Sequence, residues 1–328
     1  MKDLENLISA INNTHVLVLG DFLLDEFVFG EISRTSREAP VLILKYRKTN
    51  SRPGGGANTV ASVAALGGHV TPIGVLGKDR WGQDVLSAWD KSICTDGVVL
   101  SSELQTTCKS RLMAGSFHSF RQQVVRLDHE HRHVLTTQIE DRLLKNLEVF
   151  LPNTNAVIIS DYSLGTITPS LAARALKLAQ EHKIPIVVDS RFDPARFSGA
   201  TSITPNVSEI EKTISLSIGQ SQEKLLRTGQ QLLKEWELEA LLITRGRLGM
   251  SLFEKDRITE IPAFGTDEVS DVTGAGDTVT AVYTASLAAG ASFQNAARLA
   301  NVAAGLVVMK KGTATVSSDE LKQAVHDA

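Results

Sequence analysis

Short uninterrupted runs of Val, Ile and Leu recur along the chain, at Val16 to Leu19, Ala156 to Ile159, Ile184 to Val188 and Ala240 to Thr244. Strands covered on both faces read this way, because neither face has to meet water. Between the runs lie segments of helical length, among them Ala57 to Leu66, Pro169 to Glu181 and Glu223 to Trp236. This alternation predicts an α/β fold, with a mostly parallel sheet and helices on both faces. Such sheets bind ligands beyond the carboxyl ends of their strands. The residues that follow the runs are Gly20-Asp21, Ser160-Asp161, Asp189-Ser190 and Thr244-Arg245-Gly246, so polar groups gather where a site belongs.

Two stretches depart from this pattern. Phe27 to Arg47 and Thr106 to Asp128 contain VLILKYRK, CKSRLMAG and QQVVRLD, whose alternation suits antiparallel strands half exposed to water. They predict a small β-sheet lid, formed by about 27–47 and 106–128, on a single domain covering 1–328; a pair of ordinary surface hairpins is the plainer alternative. No repeat or Pro-rich linker marks a domain boundary.

Charge and cysteine content narrow the function. With 34 Lys and Arg against 37 Asp and Glu, the formal net charge is -3, which supplies no global field for nucleic acid or an anionic membrane. Cys94 and Cys108 form no CxxC pair, so neither a disulfide framework nor a thiolate metal site is expected, and a reducing cytoplasm is the expected compartment. The first residues read as a short amphipathic helix, without the apolar core of a signal peptide. No run approaches the roughly 18 apolar residues of a membrane span.

The sharpest chemical signal is Asp271-Val272-Thr273-Gly274-Ala275-Gly276-Asp277-Thr278, ahead of a helix-prone run. Small residues there let backbone N–H groups approach an anion, and the helix dipole favours negative charge. Asp277, just inside the first turn, could take a proton from an attacking hydroxyl, with Gly274, Ala275 and Gly276 beside it as an anion hole. A tight loop followed by an N-terminal acid is the plain alternative. The second signal is Arg52-Pro53-Gly54-Gly55-Gly56-Ala57-Asn58, where glycines allow close approach of a polyhydroxylated ligand and Asn58 offers both donor and acceptor. Neither stretch is a GxxxxGK[ST] loop, and no GxGxxG follows the first strand.

With both glycine motifs in this order, the chain resembles the ribokinase-like (PfkB) carbohydrate kinases along nearly its whole length. The matching text also includes GDFLLDEF, SRTSREAPV, RLD at 126–128, SDYSLG, TPNVSE, TRGRLGMSL and ANVAAGLVVMKKGTATVS. Within that family it is most similar to the kinases that phosphorylate D-glycero-β-D-manno-heptose 7-phosphate at O1, for ADP-heptose and lipopolysaccharide precursor synthesis. The resemblance implies a three-layer ribokinase-like α/β/α fold with ATP as co-substrate, Mg²⁺ as cofactor and a homodimer formed through the lid. By the same resemblance Asp25, Asn58, Gly54 and Gly55 hold sugar hydroxyls, and Asp21 and Asp161 line the cleft. Asn206 and Glu209 help hold the ATP phosphates, with Glu209 reaching Mg²⁺ through water. Thr244, Arg245 and Gly246 lie in the nucleotide loop, and Asn301 near the adenine. K⁺ is implied beside Asp271, Thr273 and Gly312. Asn206 with Glu209 three residues on is also a plain helix-capping pattern.

A phosphorylated sugar calls for cations, and Arg34, Arg37, Lys109, Arg111, Arg121, Arg126 and Arg191 supply them in the lid and cleft segments. Two departures stand out. The chain has Asp189-Ser190-Arg191 where the heptose kinases read Asp-Pro-Lys, and a third glycine, Gly56, where they have Ala, a change expected merely to remove a methyl. No HxGH motif of a nucleotidyltransferase occurs, so nucleotide activation is expected to need another protein. The His129-Glu130-His131-Arg132-His133 run is expected to be a solvated turn rather than a metal site. A fructokinase- or ribokinase-type kinase of an unphosphorylated sugar or nucleoside is the alternative activity, and a non-catalytic sugar- or nucleotide-binding regulator the alternative class.

Overall fold

The computed structural model describes residues 2–115, 122–219, 221–265, 270–310 and 312–327; Arg121 lies outside them. In chain order the strands are β1 (His15–Gly20), β2 (Phe22–Thr35), β3 (Leu42–Gly55), β4 (His69–Gly77), β5 (Val98–Ser101), β6 (Thr107–Gly115) and β7 (Gln122–His129). They continue with β8 (Ala156–Asp161), β9 (Ile186–Ser190), β10 (Ser202–Ile203), β11 (Ala240–Thr244), β12 (Met250–Glu254) and β13 (Arg257–Ile261). Among the described residues, nine of them form one sheet in the order β13-β12-β11-β10-β9-β8-β1-β4-β5. From β11 to β5 every neighbour pair is parallel, and only β12 and β13 run antiparallel.

The apolar runs are strands of this sheet because both of their faces are covered. Val16 and Val18 of β1 join one core, with Val60 and Val63 of the Gly56–Ala65 helix and Val279 and Val282 of the Ala275–Ala288 helix. Leu17 and Leu19 point the other way, into a second core with Leu143 of the Thr137–Phe150 helix, Leu171 of the Pro169–His182 helix and Leu232 of the Gln222–Glu235 helix. The result is three layers, helix, sheet and helix. The run from Ile184 enters its strand only at Ile186. The amphipathic N-terminus forms the Lys2–Ile11 helix, which buries Ile8 and Ile11.

The chain proceeds from β1 to β4 on one side and returns through β8 on the other, so β1 lies where the strand order reverses. A crevice opens beyond the carboxyl ends at such a point. The second sheet grows from there, since β2 starts one residue after β1 ends. Its order is β3-β2-β6-β7, with β2 and β6 parallel. It is longer than its alternation implies: β2 begins at Phe22 and β3 continues to Gly55. Phe22 and Leu24 are buried in the core with Val16 and Val18, and Leu23 against Tyr162 and Leu164, which erases the alternation at the root and leaves it only in the outer, half-exposed part.

Register decides which side chains of this small sheet share a face. Asp25 is opposite Arg52 and Lys109, Phe27 is opposite Arg111, and β7 adds Arg126 and Asp128 opposite Arg111 and Lys109. The reverse face carries Glu26 and Ser110, bonded to each other at 2.8 Å, and meets Arg80 of the Arg80–Ala88 helix. No helix among the described residues is long and apolar enough to cross a membrane.

Candidate active site

Asp277 lies in the first turn of the Ala275–Ala288 helix, buried, at the mouth of the crevice. The turn into that helix is made by Gly274 at φ 79°, a left-handed conformation that glycine adopts without strain. A side chain there would also collide, since a Cβ would lie 2.7 Å from Nδ2 of Asn58. That closeness lets Asn58 Nδ2 donate to Asp277 Oδ2 at 2.9 Å, while the Tyr162 hydroxyl donates to Oδ1 at 2.5 Å. The Ala275 N–H turns back to Val272 O, which removes it from the expected anion hole. Those of Gly276 and Asp277 take no acceptor among the described residues. A Cβ at Gly276 would meet nothing within 4 Å. The turn therefore presents a fixed carboxylate beside donors that an anion can use.

Asp25, on the small sheet, faces the same space. Its Oδ1 accepts from Arg111 at 2.6 Å and its Oδ2 from the Thr313 hydroxyl at 2.9 Å. Gly54 keeps this carboxylate in place, because a Cβ there would lie 2.8 Å from Oδ2. Gly55, next along, packs against Leu23 and Tyr162. The third glycine is more constrained than a lost methyl suggests: a Cβ on Gly56 would lie 2.9 Å from the Asp21 carbonyl oxygen.

Two acids expected at the sugar are turned to the scaffold. Asp21 accepts from the backbone N–H groups of Tyr162, Leu164 and Thr166, at 2.9 to 3.0 Å, and so shapes the loop after β8. Asp161 accepts from Ser163 N–H and the Ser190 hydroxyl and faces Arg196 at 3.5 Å. Two of the cations expected to greet a phosphate are paired with carboxylates as well. Arg111 is committed to Asp25, and Arg126 makes a bidentate pair with Asp128 on an exposed strand. Arg191 donates to the Tyr162 hydroxyl at 2.9 Å and stacks on its ring at 4.1 Å. Lys109 has no acceptor among the described residues; its ammonium sits 5.6 Å from the Tyr162 ring centroid. Arg34 and Arg37 fall at the exposed outer end of the small sheet.

A separate open groove runs along Asn206, Ser208, Ile218, Thr244, Gly246 and Leu248. Its floor is the Val207–Ile214 helix, begun by a reciprocal cap in which Asn206 accepts from Glu209 N–H and Glu209 accepts from Asn206 N–H. Thr244 pairs with Asn206 as an isolated parallel bridge, joining the end of β11 to that cap. Arg245 lines the groove, but its guanidinium reaches Ser251 and Glu260. Asn301 is buried in the Phe293–Val308 helix and donates to Pro262 O at 2.8 Å, fixing the chain after β13. Asp271 gathers Thr273 and Gly312 by accepting from both backbone N–H groups.

The model of the pfkB family carbohydrate kinases matches residues 13–320. The chain belongs to that family. It is 40% identical over 323 residues to the bifunctional protein HldE of Geobacter metallireducens, and 40% identical over 317 to that of Actinobacillus succinogenes. These alignments cover 98% and 95% of the chain, which spans 64% and 63% of the length of those relatives. Among solved structures, phosphofructokinase-2 from Escherichia coli in complex with potassium superposes with a TM-score of 0.76 at 16% identity, covering 96% of this chain and 99% of the other. The Arabidopsis thaliana ribokinase complexed with ribose and ATP gives 0.73 at 18%, covering 95% and 98%. The fold is ribokinase-like.

In this PfkB chain the cleft concentrates acid in a dry place. Burial raises Asp277 above the ordinary carboxylate range, opposed by Arg191 and by the bonds from Tyr162 and Asn58. Asp189 is pushed up to about 8, first by burial and then by Glu209 and Asp277. Burial also raises Glu209, against its bonds to Asn206. Lys109 is lowered by burial and by Arg191. Such crowding is what a cation-bearing ligand relieves. Among the described residues no three His, Cys, Asp or Glu side chains assemble into a metal cage. The hard oxygen donors Asp189 and Glu209 instead suit Mg²⁺, which usually keeps its waters and its nucleotide phosphates and takes one or two carboxylates. The His129–His133 segment is not the expected solvated turn. His129 packs on Trp81 with ring centroids 4.8 Å apart, and His133 is buried.

Tyr162 and Thr313 escaped sequence reasoning as site residues, and Asp189 was placed only among the polar groups beyond the strand ends, without a role. Tyr162 and Thr313 sit inside matched motif text, SDYSLG and KKGTATVS, yet carry no spacing signal of their own. Asp189 precedes the departing Ser190-Arg191, and its position after a buried run was the available clue.

Proposed function

We propose that the chain transfers the γ-phosphoryl group of ATP to O1 of D-glycero-β-D-manno-heptose 7-phosphate, giving the 1,7-bisphosphate and ADP. The observation that carries the kinase chemistry is Asp277, held between Asn58 and Tyr162 beside the N–H groups of Gly276 and Asp277, which take no acceptor among the described residues. In the reaction the bond between the β,γ-bridging oxygen and the γ-phosphorus breaks as the sugar O1 bonds to phosphorus, and Asp277 takes the hydroxyl proton. The two N–H groups stabilise charge on the transferred group, with Gly274 and Ala275 shaping the turn. Asp25, held by Arg111 and Thr313, and Asn58 orient sugar hydroxyls beside Gly54 and Gly55. The groove of Asn206, Thr244 and Gly246 receives the nucleotide. Glu209 and Asp189 would hold Mg²⁺, which would supply charge neutralisation for the nucleotide phosphates. K⁺ belongs beside Asp271, Thr273 and Gly312.

The acceptor is argued from the motif text and from identity near 40% with the HldE proteins along almost the whole chain. Lys109, which has no acceptor among the described residues, is placed to meet the sugar phosphate, with Arg191 beside it. Because Arg111 and Arg126 are already paired with carboxylates, a free sugar is the second reading. The small sheet acts as a lid that excludes water, and two copies pair through it. Leu42 and Tyr46 on β3 and Val125 and Leu127 on β7 are exposed there, on strands whose outer edges lack neighbours among the described residues. A cytoplasmic location fits a kinase fed by ATP.

ADP release with Mg-ATP and heptose 7-phosphate, fructose 1- and 6-phosphates, free heptose, fructose, ribose and adenosine tests the reading. Preference for heptose 7-phosphate, with product phosphorylated at O1, is the expected result. Preference for a free sugar overturns the substrate but keeps the kinase, and saturable binding without ADP release overturns both.

A further inference from the structure

Tyr162 enters the site at the topological switch point, immediately after β8, and its backbone is anchored because Asp21 accepts its N–H and those of Leu164 and Thr166. The ring is held on several sides. Arg191 stacks on it at 4.1 Å, the Lys109 ammonium lies 5.6 Å from its centroid, and Gly55 is so close that an added Cβ would lie 3.2 Å from Cε2. The hydroxyl makes two directed bonds. Arg191 donates to the phenol oxygen at 2.9 Å, and the phenol donates to Asp277 Oδ1 at 2.5 Å.

These bonds have a fixed sense. Arginine has donors only, so the Tyr162 oxygen must accept from it, and the single phenolic proton is left for the carboxylate. With Asn58 donating to Oδ2, both oxygens of Asp277 are fixed and the plane of the carboxylate cannot swing. Each oxygen keeps a second lone pair for the acceptor hydroxyl. A tyrosine kept only for packing would not need its hydroxyl placed between a cation and a catalytic carboxylate.

We propose that Tyr162, aimed by Arg191, is a positioning residue for Asp277 that fixes the direction from which the base takes the acceptor proton. The inference rests on the reading of Asp277 as the base. The charged and titratable groups that act on Asp277 are Arg191, Tyr162 and Asp25, with Asp189 alongside.

The test uses Tyr162→Phe, which keeps the ring and removes the hydroxyl, in the full chain. Its first readout is the ¹³C carboxyl titration of Asp277 in the ligand-free protein, assigned with Asp277→Asn. A hydrogen bond to a carboxylate favours the charged form, so the midpoint should rise by about one pH unit. This reading needs no turnover, and so separates the positioning role from the choice of sugar. The second readout is kcat on whichever acceptor wild type uses: a loss of about tenfold, with its acid limb moved to higher pH and KM for ATP held. Arg191→Lys keeps the charge but not the planar fork, and should move titration and limb in the same direction; it serves if the Phe variant does not fold. An unmoved Asp277 titration in the folded variant, or a fall in kcat with an unmoved acid limb, overturns the proposal.

Discussion

Gly274 and Gly276 stand two residues apart in one motif, yet the structure gives them opposite tolerances. At Gly274 an alanine must adopt φ 79°, and its Cβ would lie 2.7 Å from Asn58 Nδ2 and 3.1 Å from Thr313 Cγ2. The left-handed backbone costs about 1–2 kcal/mol for a residue with a Cβ, and relieving the overlap about 1–3 kcal/mol more. Gly274→Ala should therefore lose roughly 2–5 kcal/mol of stability in urea unfolding. The side chain that must yield is Asn58, so its bond to Asp277 is lost as well. A hydrogen bond to a charged group is worth about 1.5–3 kcal/mol, which predicts a fall in kcat of about 10- to 100-fold. Gly276→Ala places its Cβ in open space within a helix, where alanine is favoured over glycine by roughly 0.5–1 kcal/mol. That variant should be as stable as wild type or slightly more so. Because the open space is where the transferred phosphoryl group is proposed to sit, its kcat/KM for ATP should fall all the same. Unfolding midpoints together with a coupled ADP-release assay check both variants. An unaltered Gly274→Ala enzyme, or a clearly destabilised Gly276→Ala one, would refute the reasoning.

Asp277→Ala should reduce kcat at least ~100-fold while nucleotide binding, followed by calorimetry, persists; near-normal kcat would remove Asp277 from the role of base. Burial pushes Asp189 up to about 8, above the ordinary carboxylate value of 3.8, so the folded state holds a proton that the unfolded state has lost through that window. Stability should then fall as pH rises between those values, by at least ~1 kcal/mol more in wild type than in Asp189→Asn when urea unfolding is compared at the two ends. Equal pH dependence in the two proteins would contradict the burial argument. The Arg111 and Asp25 side chains form a buried pair at 2.6 Å, so Arg111→Met, which strands the carboxylate, should cost about 3–5 kcal/mol. A loss below ~1 kcal/mol in the same assay would show that Thr313 alone satisfies Asp25.

The chain's local pattern was enough to determine its layers. Uninterrupted apolar runs at 16–19, 156–159 and 240–244 can be satisfied only by cover on both faces, and they lie within β1, β8 and β11. Alternation in VLILKYRK, CKSRLMAG and QQVVRLD reported strands with one wet face, and these segments lie in the small sheet. The glycines before Asp277 likewise carried their own meaning, because a left-handed turn ahead of a helix is a local requirement. Partners across the fold are another matter. Asp21 and Asp161 follow their strands as site acids would, but the loop after β8 and the Ser190 hydroxyl claim their oxygens. Arg111 reads as a phosphate ligand until the pairing of β2 with β6 sets it beside Asp25. Tyr162, Thr313 and Asp189 converge on the site from three separate regions of the chain. Periodicity reports which face of an element is wet or dry, whereas the partner of a charged or hydroxyl group depends on strand order and register between distant segments, and only the tertiary structure decides those.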